Sequence, residues 1–312
     1  MTGALCPTGC EAVVPQEEAR VEGIQVGLPE RVVAGRHIAP QGSDSLMTAP
    51  ALKTGEWIGP LSIAVLAALG RDQVRVWRRP RVGIIGTGTE IVSALAPPRP
   101  YELRDSNTSM VTAMLRAMNL EQPRVAHAPD DMPRLAEQLQ AMADCDVVVL
   151  TGGVSVGRFD LVPAALERYG ASILVRGIRQ KPGKPFLFAT TGKQLLFGLS
   201  GNPLGCHVGF HYYVSPTVRR MSGHRPCPQP LAVLREDAER KGGRSWFALA
   251  RASLSDDRFF WRARLIRNAG VADIFRSREA NAYVEIPPGT SVLAAGSRVE
   301  LSQVVGAILL HR

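Results

Sequence analysis

The stretch DVVVLTGGVSVG, residues 146–157, decides the fold of this chain. Its apolar run, residues 147–150, is typical of a strand that is buried on both faces of a sheet. The run passes directly into a glycine-rich loop, where backbone N–H groups can approach a phosphate without a Cβ in the way. A tight strand-to-helix turn without a ligand is the alternative, so the loop has to be judged together with its neighbours.

Two further stretches repeat this arrangement, RVGIIGTGTEIV at 81–92 and QLLFGLSGNPLG at 194–205. Amphipathic, helix-like segments lie between the apolar runs, at 105–121, 132–145 and 161–170. Strands that alternate with helices predict an α/β fold, a three-layer domain of βαβ units with a mostly parallel sheet. Because ligands bind beyond the carboxyl ends of such strands, we expect the three glycine loops to meet at one edge.

The sequence predicts three regions. Residues 1–78 form an N-terminal β-rich part and one helix, which begins at Thr54 or Gly55, ends at Gly70 and is followed by a short strand. Residues 79–226 form the α/β domain. Residues 227–312 alternate apolar and polar positions with period 2 between prolines and glycines, which predicts a small C-terminal β-barrel domain.

Composition narrows the class of partner. The 312 residues carry a net charge of +9, but the basic residues are dispersed and not interleaved with aromatics, which favours an anionic small molecule over nucleic acid. No apolar run is long enough for a membrane helix, and the start lacks the pattern of a leader peptide. The odd number of scattered cysteines is typical of reduced thiols. We therefore expect a cytoplasmic protein without a membrane segment.

A lysine pair stands out in the segment QKPGKPF, residues 180–186. Lys181 and Lys184 are two of only five lysines in a chain rich in arginine. An ammonium group is a compact point charge, and the flanking prolines stiffen the loop that presents it. The pattern predicts that the pair binds a tetrahedral oxyanion or a phosphate, with a solvated hairpin as the alternative.

Carboxylates lie in or beside the loops predicted at the same sheet edge: Glu90, Asp105, Asp130, Asp131 and Asp160. Near a phosphate, such groups commonly hold Mg²⁺, which bridges them to the phosphate oxygens. Asp105 and Asp131 also stand where a helix cap is expected. Of the set, Glu90 and Asp160 are the favoured metal ligands.

Other polar residues give weaker signals. Ser200 and Asn202 can cap the following helix or donate to a ligand, and Pro203 suits its first turn. His207 and His211 are one helical turn apart within an apolar helix, which favours packing over metal binding. Ser155 lacks the surroundings of a hydrolase nucleophile.

Taken together, these motifs resemble those of molybdenum cofactor biosynthesis proteins. LTGGVSVG at 150–157, KPGKP at 181–185, SGNP at 200–203, RDSN at 104–107 and TGTE at 87–90 are similar to the molybdopterin-binding domain of that group. The flanks MTGALCPTGCEAVVPQE at 1–17, VAGRHIAPQGSD at 33–44, SREANAYVEIPPG at 277–289 and LAAGSRVEL at 293–301 resemble the molybdopterin molybdenumtransferase family, to which the C-terminal part of gephyrin belongs.

The resemblance implies insertion of molybdate into the dithiolene of adenylylated molybdopterin, with release of AMP in a Mg²⁺-dependent step. It implies a homodimer when the chain is complete and a possible contact with molybdopterin adenylyltransferase. By motif match, the functional positions are Thr2, Glu90, either Asp130 or Asp131, and Asp160, with Glu90 and Asp160 as metal ligands. The ligand-binding positions are Thr151, Gly152, Gly153, Ser155, Gly157, Lys181, Lys184, Ser200, Gly201, Asn202, Pro203, Asp105 and Asn107.

The chain departs from the family pattern at three places. Thr89 stands where the family has a carboxylate, and Ser200 stands where it has proline. The chain also begins at the family's MTGA motif, so we expect it to lack the preceding segment, which by resemblance supplies much of the dimer contact. A homologue that binds molybdopterin without transferase activity is therefore the main alternative. The adenylyltransferase of the pathway is less favoured, because it normally lacks the C-terminal β domain.

Overall fold

The computed structural model describes residues 3–155, 160–239, 243–257, 259–267, 270, 272–289 and 292–307. The chain divides into two compact units, residues 1–74 and 75–312. Within the described residues, no helix is both long and apolar enough to cross a bilayer. Residues 156–159, which include the end of the predicted glycine loop, lie outside the described part of the chain.

The first unit contains little regular structure. It has a 3₁₀ turn (Gln16–Glu18), the antiparallel strands β1 (Arg20–Glu22) and β2 (Gln25–Gly27), and helix α1 (Pro60–Ala68). The predicted helix start at Thr54 or Gly55 is wrong. Proline has no N–H to lose at the first helical position, so the helix begins at Pro60 and stops before Gly70, which has a φ of +66°.

The second unit begins with the α/β domain, whose elements follow in chain order. They are β3 (Val82–Thr87), β4 (Ile91–Val92), β5 (Leu103–Arg104), α2 (Asn107–Ala117), β6 (Arg124–Ala128), α3 (Met132–Ala141), β7 (Val147–Thr151), α4 (Val162–Arg168), β8 (Ser172–Arg176), β9 (Gln180–Lys181), β10 (Phe186–Thr190), β11 (Leu195–Leu199), α5 (Pro203–Gly209), a π-helical turn (Phe210–Val214) and α6 (Ser215–Met221). The short strand predicted after Gly70 is wrong, because residues 71–80 adopt no strand conformation.

The sheet of this domain has the order β6-β3-β7-β11-β10-β8. Strands β6, β3, β7 and β11 are parallel, whereas β10 runs antiparallel to both of its neighbours. Strands β3 and β7 are buried along their whole length, which explains their unbroken apolar sequences. The predicted mostly parallel sheet is confirmed.

Each face of the sheet is covered by helices. On one face, the sheet packs against α3 and α4 through Leu139 and Leu166. On the other, it packs against α2 and the α5–α6 segment through Leu115 and Phe210. These four side chains are completely buried. The three-layer arrangement is therefore confirmed.

The remaining elements form the C-terminal domain, which contains the barrel. They are β12 (Leu231–Leu234), β13 (Ala238–Glu239), β14 (Ser245–Leu254), β15 (Trp261–Leu265), α7 (Ile274–Ser277), β16 (Ala282–Ile286), β17 (Val292–Leu293) and β18 (Arg298–Gln303). Strands β15-β12-β18-β16-β14 form one sheet, which closes because β14 also pairs with β15. The predicted barrel is confirmed. Strand β9 pairs with β14, so the chain joins the barrel before entering β10.

An ionic cluster fixes the amino end of β7, opposite the glycine loops. Asp146 accepts two hydrogen bonds of 2.7 Å from the Arg78 guanidinium and one of 2.7 Å from the backbone N–H of Arg81. The hydrogen bonds from Arg78 are the largest influence on the pKa of Asp146 and lower it, although partial burial acts in the opposite direction. The cluster joins the segment before β3 to the start of β7.

We expect Asp146→Asn to lower the free energy of unfolding by about 1–3 kcal/mol at pH 7, because a partly buried charged acceptor is lost. The pKa of Asp146 is lowered in the folded state, so its contribution is present above the ordinary carboxyl pKa and disappears as the pH falls through the folded value. Urea unfolding at pH 7 and in acid measures this, with Asp256→Asn, whose side chain is 96% exposed, as the matched control. A constant difference at all pH values would contradict the assignment.

Candidate functional site

Three glycine-containing loops meet at the carboxyl edge of the sheet. They follow β3, β7 and β11, which are adjacent and parallel, so the loops emerge side by side. Together with the start of α2, they line a cleft of about 720 Å³. The structure therefore brings the three loops together at one edge of the sheet, as predicted.

The double glycine after β7 allows two backbones to approach closely. Gly152 has a φ of +95°, and a Cβ there would lie 2.9 Å from both the carbonyl oxygen and Oγ1 of Thr87. Gly153 has a φ of +63°, and a Cβ there would lie 2.9 Å from Val162. The Thr87 hydroxyl also donates to the Thr151 carbonyl at 3.1 Å. The first two loops are thus held against each other by contacts that a larger residue would break.

The loop after β11 is joined to the start of α2. The Asn107 side-chain amide donates to the Gly201 carbonyl at 2.8 Å, whereas its Oδ1 atom is buried and has no hydrogen-bond partner within the described structure. Ser200 Oγ accepts from the Asn202 N–H at 3.2 Å and so shapes the turn that the SGNP motif makes. A buried acceptor without a partner is costly, and a ligand donor in the cleft would satisfy it.

A reciprocal pair of hydrogen bonds fixes the loop after β3. The Thr89 N–H donates to Asp130 Oδ2 at 3.2 Å, and the Asp130 N–H donates to Thr89 Oγ1 at 3.0 Å. The His127 ring contacts the Gly88 carbonyl at 2.9 Å in the same region. The threonine found where the family has a carboxylate therefore contributes to the loop's shape.

Asp105 serves the local structure. Its carboxylate accepts from the Thr108 N–H at 2.9 Å and from the Thr108 hydroxyl at 2.6 Å. The first bond satisfies a backbone N–H in the first turn of α2, as predicted for a capping residue, and the second anchors the Thr108 side chain. Asp131 plays the same part at α3, where its Oδ1 accepts from the Arg134 N–H at 3.0 Å.

The cleft is rich in carboxylates. Glu90, Asp105, Asp130 and Asp160 line it, and Arg104 is the one basic residue among its described lining residues. Within the described part of the chain, no three His, Cys, Asp or Glu side chains are grouped closely enough to form a complete metal cage. Mg²⁺ does not require one, since it commonly takes one or two carboxylates and completes its shell with water and substrate phosphate. The donor set fits that mode of binding.

Most of the predicted site residues line this cleft. They are Glu90, Asp105, Asn107, Asp130, Thr151, Gly152, Gly153, Ser155, Asp160, Ser200, Gly201, Asn202 and Pro203. Asp131 is a helix cap outside the lining. Lys181 and Lys184 are exposed and outside it as well, although the next residue, Pro185, is part of it. Thr2 and Gly157 lie outside the described residues. The roles of all these residues stay predictions.

The apolar residues of the cleft were missed at the sequence level. Ile91 and Leu103 come from the short strands β4 and β5, and Ile274 and Phe275 come from α7 of the barrel. Arg104 was also missed as a cleft residue, although it belongs to the RDSN motif. Spacing along the chain carries no signal that a barrel segment reaches a cleft of the α/β domain.

The two histidines pack between the helical segment and the barrel. His207 contacts the Tyr283 hydroxyl at 2.5 Å, and His211 contacts Ser302 Oγ at 2.7 Å. Burial lowers the pKa of His211 to about 3, with smaller contributions in the same direction from His207 and Arg219. These contacts agree with the packing interpretation.

Comparison with known proteins gives consistent results. Residues 83–220 match the model of a probable molybdopterin binding domain, and residues 1–70 match the N-terminal region, domains I and II, of MoeA. The chain is 33% identical over 311 residues to a molybdopterin molybdenumtransferase from Bacillus subtilis, covering 96% of this chain and 71% of the relative. For the one from Synechococcus elongatus the identity is 30% over 316 residues, covering 96% and 74%.

Solved structures agree with the sequence relatives. Two structures of a molybdopterin biosynthesis MoeA protein from Pyrococcus horikoshii superpose with TM-scores of 0.75 and 0.70 at 26% and 25% identity. The matches cover 94% and 95% of this chain and 72% and 73% of those chains. The similarity thus extends over both sequence and fold.

We expect Gly152→Ala to cost more than about 2 kcal/mol of stability, because it adds a clash to the strain of a positive φ. Gly170→Ala is the matched control, since Gly170 has a φ of +88° with nothing within 4 Å of an added Cβ. It should lose only about 1–2 kcal/mol. Urea unfolding of the two variants measures the difference. Equal losses would show that the contact with Thr87 is not a constraint.

The buried histidine predicts an acid-sensitive stability. The pKa of His211 falls from 6.5 to about 3 on folding, so the unfolded state binds the proton more tightly and stability decreases as the pH drops below 6.5. Between pH 7 and pH 5, His211 should cost about 2 kcal/mol, and His211→Gln should reduce that slope. Urea unfolding at several pH values measures it, with His224→Gln, at an exposed site, as the control. An unchanged slope in the His211 variant would contradict the expectation.

Proposed function

We propose that this chain, which belongs to the molybdopterin molybdenumtransferase family, inserts molybdenum from molybdate into adenylylated molybdopterin and releases AMP. The observation that carries the proposal is the cleft itself. Three glycine-containing loops, a buried acceptor at Asn107 and several carboxylates line one cavity of about 720 Å³. This combination suits a ligand that joins phosphate groups to a heterocycle with N–H donors.

In this proposal, the glycine loops bind the phosphate groups of the ligand. Gly152 and Gly153 let this loop pack closely against Thr87 and Val162, which fixes its course beside the cleft, and the Thr87 hydroxyl holds the Thr151 carbonyl. The Oδ1 of Asn107, which has no hydrogen-bond partner in the described part of the chain, would accept a hydrogen bond from the ligand. Arg104 would balance part of the phosphate charge from the cleft wall.

Carboxylates beside an anionic ligand would repel it unless a cation lies between them. Glu90 and Asp160 would hold Mg²⁺, which supplies charge neutralisation at the phosphate oxygens when it is bound. Asp130 is tied to Thr89 and would act by keeping the first loop in position. Lys181 and Lys184 would attract the molybdate oxyanion next to the cleft, because Pro185, directly after them, lines it.

The family resemblance also supports finer statements. We infer that the chain acts in the cytoplasm, works as a homodimer and receives its substrate from molybdopterin adenylyltransferase. Exposed apolar side chains on and before α1, Trp57 (79% exposed) and Leu61 (84% exposed), favour a partner surface there. Sedimentation of the purified chain tests the dimer.

A second candidate is a protein that binds molybdopterin without inserting metal. Thr89 favours it, because a threonine replaces a carboxylate that the family has in this loop. The two candidates differ in one measurement, which is molybdate-dependent release of AMP. Binding of the adenylylated substrate without release would select the second.

We expect Asp160→Asn to lower the rate of molybdate-dependent AMP release roughly 100-fold or more, because a negatively charged ligand of the proposed Mg²⁺ is lost. The assay uses purified protein with adenylylated molybdopterin, molybdate and Mg²⁺. Asp256→Asn, at an exposed residue that does not line the cleft, should keep the wild-type rate. Unchanged turnover of the Asp160 variant would remove this residue from the reaction.

A further inference from the structure

The barrel contributes an exposed aromatic side chain to the cleft. Phe275 lies on α7, between β15 and β16, and is 79% exposed. It lines the cleft together with Ala272 and Ile274 of the same segment, although the loops that form most of the lining belong to the α/β domain. Exposure alone does not distinguish Phe275, since Phe259 of the same barrel is 87% exposed; what distinguishes Phe275 is that its side chain lines the cleft.

The turn that carries Phe275 is well anchored. The Asp273 carboxylate accepts from the Arg276 N–H at 3.2 Å, and the Ser277 hydroxyl donates to the Asp273 carbonyl at 2.5 Å. The Phe275 carbonyl itself accepts from Arg278 Nε at 3.2 Å. These hydrogen bonds fix the turn, and the turn holds the Phe275 ring in its exposed position.

Apolar residues of the α/β domain line the same cleft. Leu103 on β5 is 62% exposed, and Ile91 on the neighbouring β4 is partly buried. The cleft thus combines glycine loops and carboxylates with an apolar part supplied by two domains. A ligand that matches both parts has a charged phosphate end and a flat apolar ring, whose faces gain most from contact with an aromatic side chain.

We propose that Phe275 is a specificity-determining residue that stacks on a heteroaromatic ring of the substrate while the phosphate end lies at the glycine loops. The inference rests on the proposed function and deepens it, because it says which chemical part of the substrate the barrel recognises. Stacking of a heterocycle on a protein aromatic side chain is worth roughly tenfold to hundredfold in affinity. Adenylylated molybdopterin offers two such rings, the pterin and the adenine.

Two probes test the inference on the purified full chain, 6-hydroxymethylpterin phosphate and AMP. The affinity for each is measured by fluorescence titration and by calorimetry. Phe275→Ala should weaken binding of one probe roughly tenfold or more, and Phe275→Trp should preserve it. Phe259→Ala is the matched control, because Phe259 is 87% exposed in the same barrel and does not line the cleft. Because Phe275 is exposed, its truncation opens no core cavity, and the melting temperature should not change.

Each outcome decides the inference. A selective loss of the pterin probe assigns Phe275 to the pterin, and a selective loss of AMP assigns it to the adenine. Unchanged affinity for both probes in Phe275→Ala overturns the inference, as does a wild-type chain that binds neither probe. A change in sedimentation in place of a change in affinity also overturns it, because the ring would then contact a second copy of the chain. AMP release is measured separately: a wild-type chain that binds a probe without turnover would contradict the proposed function and leave the role of Phe275 standing.

Discussion

The close approach of backbone to backbone at the carboxyl edge of the sheet is the constraint on which the rest of the site depends. Gly152 lies so near Thr87 that a Cβ would reach 2.9 Å from its carbonyl oxygen, and a Cβ at Gly201 would lie 3.6 Å from the Gly152 Cα. Such packing is possible only because β3, β7 and β11 are adjacent and parallel, so that their loops leave the sheet together. The cleft lies beside this junction, and its chemistry comes from the polar groups that line it.

The amino end of the sheet stabilises the fold, whereas the carboxyl end forms the cleft that we assign to ligand binding. At the amino end, the Asp146 carboxylate accepts three hydrogen bonds from the protein, two from Arg78 and one from Arg81. At the carboxyl end, Asn107 has a buried acceptor without a hydrogen-bond partner among the residues that the structure describes. An unsatisfied group costs stability, and a fold tolerates it where binding recovers the cost. Asp105 belongs to both the cleft and the fold, because its carboxylate lines the cleft and accepts two hydrogen bonds from Thr108 at the start of α2.

The sequence predicted what depends on local pattern and missed what depends on tertiary contact. The apolar runs at β3, β7 and β11 identified a parallel sheet, because only strands covered on both faces are apolar throughout. The start of α1 was wrong because its apolar pattern extends before Pro60 although the helix does not. The reciprocal bonds between Thr89 and Asp130 join residues 41 positions apart, and no spacing rule indicates them. Phe275 was missed for the same reason, since the barrel residues were expected to form a separate domain.

The segment after β8 explains how the barrel comes to share the cleft. Strand β9 leaves the α/β domain to pair with β14, and Gln180 at its start accepts a hydrogen bond from the Tyr213 hydroxyl at 2.5 Å. His207 and His211 add two contacts to barrel residues on the other side of this connection. Barrel and sheet are therefore held by both a strand pairing and a buried polar cluster. Because α7 is part of that barrel, the same contacts that fix the domains also fix Phe275 relative to the glycine loops, and a ring and a phosphate on one ligand can be recognised together.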